Sequence, residues 1–294
     1  MAQQPLLEAR QLTKVFVRGS FLSGRSTVRA VDDVSLSIDQ GDTFGIVGES
    51  GSGKSTLARL VMRLVEPTSG TVRFDGRDLL ALDTSALRGM RRHMQLVFQN
   101  PYTSLNPRMH VGDIISEPLV IHGCGDARER VARTAEVLAQ VGLSHDLMKR
   151  LPKELSGGQC QRVGIARALV LNPKLVIADE PVSALDVSIQ AQVVNLLIDL
   201  RQQLGLTYLF ISHDLRIVAQ LCTRIACLYA GRVVEMGPVA DVLGNPHHPY
   251  TRALVSAVPS GDPDRPRQRI SWSAGQWDRS TRLREVSGGH WAAL

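Results

Sequence analysis

The sequence predicts an α/β fold, with a parallel-sheet core, an N-terminal antiparallel β subdomain and a helical subdomain inserted between strands of the core. Three observations carry that expectation. A short apolar strand, Phe44 to Val47, runs through a glycine-rich turn into apolar residues at helical spacing. From about Pro101 to Pro152 there are helix-like stretches and no strong strand candidate. Beyond them, apolar strands and a helix alternate again, as a parallel core requires.

In chain order, Leu6 to Ile38 reads as β structure, with alternation in Val34-Ser35-Leu36-Ser37-Ile38 and a long loop around Arg18 to Thr27. After the strand at Phe44, Leu57, Leu60, Val61 and Leu64 give helical spacing from Lys54 to Val65. Met94 to Phe98 is strand-like, and Asp126 to Val141 is the clearest helix of the middle region. Leu175 to Ala178, Thr207 to Ile211 and Ile225 to Tyr229 read as strands, with a helix from Val187 to Leu204 among them. This places one domain on residues 1–258, with its helical subdomain at about 101–156, and a C-terminal extension on 259–294. Pro, Gly, Ser and Arg dominate the extension, which also holds all three tryptophans, Trp272, Trp277 and Trp291. It is expected to be a separate or poorly ordered unit.

Composition narrows the function. With 294 residues and 44% hydrophobic content, there is ample apolar material for a core. The formal charge of +6 comes from interspersed residues of both signs, which describes a solvated surface and argues against nucleic acid as a partner. Cys124, Cys160, Cys222 and Cys227 contain no CxxC pair, so neither a zinc site nor a disulfide framework is suggested and reduced thiols are expected. The start lacks the pattern of a signal peptide, and no stretch approaches the roughly 18 apolar residues that cross a bilayer. Any membrane role then runs through a partner.

The chemistry begins at Gly48-Glu49-Ser50-Gly51-Ser52-Gly53-Lys54-Ser55-Thr56, which fits the P-loop pattern. Glycines let successive backbone N–H groups turn inward around phosphates, and the following helix aims its positive end at them. Lys54 is expected to reach the β and γ phosphates, and the Ser55 hydroxyl to hold Mg²⁺. The fold class is thus an α/β P-loop NTPase core. Downstream, Leu175-Val-Ile-Ala-Asp179-Glu180 is an apolar strand ending in two carboxylates, suited to support Mg²⁺ at Asp179 and to polarise the attacking water at Glu180. Leu155-Ser156-Gly157-Gly158-Gln159 opens a further apolar helix and forms a second anion site, which a nucleotide already held by the first loop does not need.

With that pentapeptide the sequence resembles the ABC ATPase family, over roughly Leu6 to Val258. In the family two subunits face head to tail, so the resemblance assigns Ser156, Gly158 and Gln159 to the ATP of the opposing subunit. It implies that Gln99 touches Mg²⁺ and signals to the membrane partner, that His213 stands near the γ phosphate, and that Ser183-Ala-Leu-Asp186 crosses the dimer interface, with Asp186 in the nucleotide set. Phe16 falls where the family stacks an aromatic on adenine. The spacing from Lys54 to Ser156 suits a transport ATPase and leaves no room for a long coiled-coil insert; a second P-loop, as in tandem ATPases of translation, is absent from the sequence.

Phe98-Gln99-Asn-Pro-Tyr-Thr-Ser-Leu-Asn-Pro-Arg-Met, Asp179-Glu-Pro-Val-Ser-Ala-Leu-Asp-Val-Ser-Ile and Asn245-Pro-His-His-Pro-Tyr-Thr-Arg-Ala-Leu look like the oligopeptide and dipeptide importer branch, in its second-ATPase type. The resemblance implies hydrolysis of ATP with Mg²⁺, a different ATPase subunit as partner, two transmembrane permease subunits, an extracytoplasmic solute-binding protein, and a peripheral place on the cytoplasmic face of the membrane. Peptides are the expected solute; nickel, glutathione or another small solute are alternatives, as are a soluble non-transport ABC ATPase and a hydrolysis-dead regulatory subunit. His247 and His248 have no third ligand nearby, which favours a structural role over a metal one. The segment Asn100 to Leu119 is expected to receive a helix of the membrane subunit through exposed Tyr102, Leu105 and Met109. After Cys227 the chain has no cysteine, so the iron–sulfur segment of some peptide-branch members is expected to be lost, leaving the tail as a docking or dimer-edge element.

Overall fold

The structure, a computed structural model, describes residues 4–18, 26–258, 270–273, 277–278 and 281–294. It divides into two compact units: Met1–Ala81 with Phe210–Leu294, and Leu82–Leu209. The first part of unit 1 contains β1 (Leu7–Arg18), β2 (Ser26–Ile38), β3 (Thr43–Val47), α1 (Lys54–Val61), β4 (Ser69–Phe74) and β5 (Arg77–Asp78). Unit 2 contains α2 (Thr84–Arg91), β6 (Met94–Val97), α3 (Pro101–Ser104), α4 (Val111–Ile121), α5 (Ala127–Gln140), α6 (Gly157–Leu169), β7 (Leu175–Asp179) and α7 (Val187–Leu204). Strand β8 (Thr207–Ser212) carries the chain back into unit 1, followed by α8 (Leu215–Leu221), β9 (Arg224–Tyr229), β10 (Arg232–Pro238), α9 (Val239–Gly244), α10 (Pro249–Ala257), β11 (Leu283–Ser287) and β12 (His290–Ala293). Among the described residues no helix is long and apolar enough to cross a membrane.

Unit 1 holds an antiparallel sheet in the order β2-β1-β4-β5. Alternation sends Leu7 and Ala9 of β1 and Val34, Leu36 and Ile38 of β2 into one buried face, and a register shift between Ala9 and Leu12 brings Leu12 onto it as well. The strands reach Arg18 and Ser26, so they extend further than the sequence suggested; residues 19–25 lie outside the described residues. Its second sheet runs β11-β12-β10-β9-β3, with β3 parallel to β9 and the remaining pairs antiparallel. All five residues of β3 are buried, which explains why no charged residue interrupts Phe44 to Val47.

Helix α1 stops four residues short of the expected Val65. The N–H of Arg63 donates to Leu60 O at 2.8 Å and that of Leu64 to Arg59 O at 2.8 Å, while Arg63 turns left-handed at φ 50°. This is a Schellman stop made without glycine, and it swings Leu64 outward rather than into the core. The chain's closing residues were expected to be separate or poorly ordered; instead β11 and β12 form a hairpin that joins the sheet through Glu235↔Ala292 and Met236↔Trp291. Residues 259–269, 274–276 and 279–280 of the extension lie outside the described residues.

In unit 2 the local chemistry sets the helix ends. Asp126 and Glu129 form a capping box at the start of α5, and α7 ends at Gly205, which turns left-handed at φ 62°. Strands β6 and β7 are parallel, pairing Met94↔Leu175 through Val97↔Ala178.

Candidate functional site

The phosphate loop is shaped by what flanks it. The parallel register ends at Val47↔Cys227, so Gly48 comes level with Leu228, and a Cβ on Gly48 would stand 2.2 Å from the Leu228 carbonyl oxygen. Gly53 adopts φ 107°, with its missing Cβ 2.2 Å from Ala30 O. Only glycine fits either position. Glu49, Ser50 and Gly51 form the exposed tip, Ser52 is buried, and Ser55 and Thr56 are half-buried in the first turn of α1. No side chain caps that turn. Lys54 is buried, and its Nζ donates to the carbonyls of Gly48 and Glu49, both at 2.8 Å. The loop is therefore closed around a buried cation, a geometry suited to phosphate.

His213 follows β8 and shares a cleft of about 350 Å³ with Gly48, Leu215 and Leu254. Asp214 next to it caps α8 by accepting from Arg216 N at 2.9 Å. The Arg216 guanidinium, 2.7 Å from the Asp214 carboxylate, holds this carboxyl below its usual range. Phe16 does not line that cleft. It lies across from Val28 in the antiparallel sheet, 37% exposed, with Lys14 Nζ 5.1 Å from its ring centre.

Unit 2 brings another group of expected residues together, and strand register is the reason. Gln99 and Glu180 each stand two residues beyond the paired Val97↔Ala178, and Gln99 Nε2 donates to Glu180 Oε2 at 3.1 Å. Glu180 is left-handed at φ 48°, and its carbonyl accepts from Ser183 N at 3.2 Å and Ser183 Oγ at 3.1 Å. Asp179 ends β7 half-buried. Ser156 begins α6 with a capping box: its Oγ accepts from Gln159 N at 3.3 Å, and Gln159 Oε1 accepts from Ser156 N at 2.9 Å. Gly158 is buried against α7, where a Cβ would meet Ile189 Cγ2 at 2.6 Å. Asp186 is exposed at the start of α7 and makes no side-chain cap.

The expected docking segment needs a correction. Tyr102 is exposed and Met109 half-buried, but Leu105 is only 2% exposed. Asn100 caps α3 by accepting from Tyr102 N at 3.0 Å, and Arg167 donates to Ser104 O at 2.6 Å. These bonds close a single helical turn and direct Leu105 into the core of unit 2.

Some participants escaped the sequence reading. Glu235 on β10 is fully buried, accepting from His247 N at 2.7 Å and His248 N at 3.0 Å, with His290 Nε2 at 2.7 Å. His248 Nδ1 in turn accepts from Tyr250 N at 3.1 Å at the start of α10. The paired histidines thus start a helix. No local pattern marks Glu235; the buried Tyr250 sits in the His-Pro-Tyr run, the one signal that could have drawn attention to it.

Comparisons with known proteins bear on the family. Residues 31–183 match the ABC transporter family, and residues 234–281 match the C-terminal region of oligopeptide/dipeptide transporters. A putative peptide import ATP-binding protein of Brucella ovis is 53% identical, over 90% of this chain and 82% of that protein. The glutathione import ATP-binding protein GsiA of Escherichia coli O157:H7 is 47% identical over 99% of this chain, which spans 48% of GsiA. Among solved structures, the dimeric post-hydrolysis state of the ATP-binding cassette MJ0796 bound to ADP and Pi is similar with a TM-score of 0.71 and 32% identity, over 79% of this chain and 98% of that one. The chain belongs to the ABC transporter family, as an ATPase carrying the C-terminal region of the oligopeptide/dipeptide transporters.

Proposed function

We propose that this ATP-hydrolysing transport subunit powers peptide uptake, acting beside a second, different ATPase at the cytoplasmic face of a membrane. The two ATPases would drive a pair of permease subunits fed by an extracytoplasmic binding protein. Lys54 neutralises phosphate charge in the bound nucleotide, and Glu180 polarises the water that attacks the γ phosphorus as its bond to the ADP oxygen breaks. His213 stands near the γ phosphate, Gln99 signals to the membrane partner, and Ser156, Gly158 and Gln159 close on the ATP of the opposing subunit. The Ser55 hydroxyl, the Asp179 carboxylate and the Gln99 amide oxygen are all hard oxygen donors, which suits Mg²⁺. These residues would hold the ion, which when bound supplies positive charge to the phosphates.

The observation that carries the catalytic assignment is the contact of Gln99 with Glu180, made by two parallel strands in register. The solute class rests on residues 234–281. Glutathione is the second reading, favoured by the likeness to GsiA; it is itself a tripeptide, so the two share peptide chemistry. The test is uptake by the reconstituted complex in proteoliposomes, with labelled di- and oligopeptides, glutathione and nickel offered in turn. ATP-dependent accumulation of peptides supports the proposal. Accumulation of nickel alone, or ATP hydrolysis that never responds to the permeases, overturns it.

A further inference from the structure

The Gly48–Glu49 peptide is gripped at both ends. Its carbonyl accepts from Lys54 Nζ at 2.8 Å, and its N–H donates to the hydroxyl of Tyr250 at 2.9 Å, from a residue 201 positions away. The hinge beside it is permissive, because Gly48 has no Cβ and adopts φ 152°, a conformation that other residues rarely take. A rotated peptide would aim the Gly48 carbonyl away from Lys54, so something must hold the plane. Tyr250 is placed to do so.

Its hydroxyl is rigidly delivered. The side chain is fully buried, with its ring 4.5 Å from that of Tyr229 and 6.0 Å from that of Trp272. Its own N–H is capped by His248, whose backbone is tied to buried Glu235. Ile270 N donates to Ser256 Oγ at 3.0 Å, so a strip of the extension lies along α10, and Glu49, Tyr250, Leu254, Ile270 and Trp272 line one cleft of about 330 Å³. Burial raises the pKa of Tyr250, which keeps the phenol neutral, able to accept from an amide.

We infer that Tyr250 is a positioning residue for ATP binding: its hydroxyl locks the Gly48–Glu49 peptide so that the phosphate loop presents Lys54 correctly, and the C-terminal region thereby sets nucleotide affinity. The inference rests on the assignment of Lys54 to phosphate given above. It gives the C-terminal region, residues 234–281, a role in the ATP site of its own chain.

Tyr250→Phe keeps the ring and removes the hydroxyl, and the full chain is compared with Tyr229→Phe, which alters the same aromatic cluster without touching the loop. Losing one buried hydrogen bond should weaken ATP binding about fivefold, while AMP, which lacks the β and γ phosphates, binds as in the parent. Hydrogen exchange at the Glu49 amide should accelerate in Tyr250→Phe, with Val47 and Leu57 amides unchanged. Parent ATP affinity in Tyr250→Phe, or equal losses for ATP and AMP, overturns the inference. Should the variant fold poorly, the parent decides alone: an unprotected Glu49 amide beside protected neighbours shows that the lock is absent. Lys54→Ala separates the two levels. If it binds ATP normally, the phosphate assignment fails; if it loses ATP while Tyr250→Phe does not, only the Tyr250 role fails.

Discussion

Helix α1 in unit 1 and helix α6 in unit 2 both start at glycine-rich turns, yet the first has no side-chain cap while the second is closed by Ser156 and Gln159. Gly53 begins α1 in a left-handed conformation that excludes other residues, and buried Lys54 folds back on the loop's carbonyls. Ser156 begins α6 in an ordinary extended conformation and shares both bonds of a capping box. One helix start is therefore held by a buried charge and strained glycine geometry, the other by reciprocal side-chain bonds. The loop at Gly48 to Lys54 keeps a buried positive charge inside its own shell of carbonyls, and on the proposed assignment it is ready for nucleotide phosphates without further contacts. The signature turn satisfies itself, and an incoming phosphate must compete with the Ser156–Gln159 cap, whose Gln159 N–H contact at 3.3 Å is long. On the proposed assignment, this turn would engage a phosphate strongly only when a facing subunit supplies the rest of the ligand's contacts.

Substitutions can break this contrast between ready binding in unit 1 and conditional action in unit 2. The largest effect is expected from Glu180→Gln, which should leave ATP affinity near the parent value and cut turnover by roughly a thousandfold. It should also trap an ATP-bound dimer, seen by size-exclusion chromatography with light scattering. Parent turnover would move the catalytic carboxylate elsewhere. Lys54→Ala should do the reverse, weakening ATP binding at least about a hundredfold, because it removes a buried charged donor from the cradle. Equilibrium titration with a fluorescent ATP analogue reads it directly.

Smaller effects sharpen the comparison. Ser156→Ala removes the cap of α6 and should cost about 1 kcal/mol of folding stability by urea titration, whereas α1 has no cap to lose. The same variant should reduce ATP hydrolysis by the assembled complex but not ATP binding by the isolated subunit. Stability should also depend on pH. Burial lowers the pKa of His248 to about 4, partly offset by the neighbouring Glu235 carboxylate. The unfolded chain takes up this proton near 6.5 and the folded chain only near 4, so its contribution is full above 6.5 and falls away as the pH drops through that window. The slope should reach at most about 1.4 kcal/mol per pH unit. His248→Asn keeps a helix-capping acceptor and should flatten the slope in melts between neutral and acid pH; identical slopes would show that the imidazole titrates freely.

Wherever the decisive chemistry is contiguous, the sequence was legible. The helix Val187 to Leu204 was readable to the residue because Gly205 stops it, and the Asp126 helix because its capping box lies within one turn. The phosphate loop, the Asp179-Glu180 pair and the Ser156 turn were likewise visible as unbroken strings, each needing only its neighbours to mean something. Non-local facts were not legible. That Gln99 meets Glu180 follows from the pairing register of β6 and β7, which a sequence does not print. Leu105 looked exposed in a polar stretch until the α3 turn and Arg167 directed it inward. Glu235 lies in a strand that the sequence reading did not identify, and it is buried because two backbone N–H groups and His290 offset its desolvation. Tyr250 reaches the phosphate loop across 201 positions because α10 packs beside it. Local propensity chooses turns, caps and helices within a few residues; which distant groups become hydrogen-bond partners is decided only when strands pair and helices pack, since that is when burial makes an unsatisfied polar group costly.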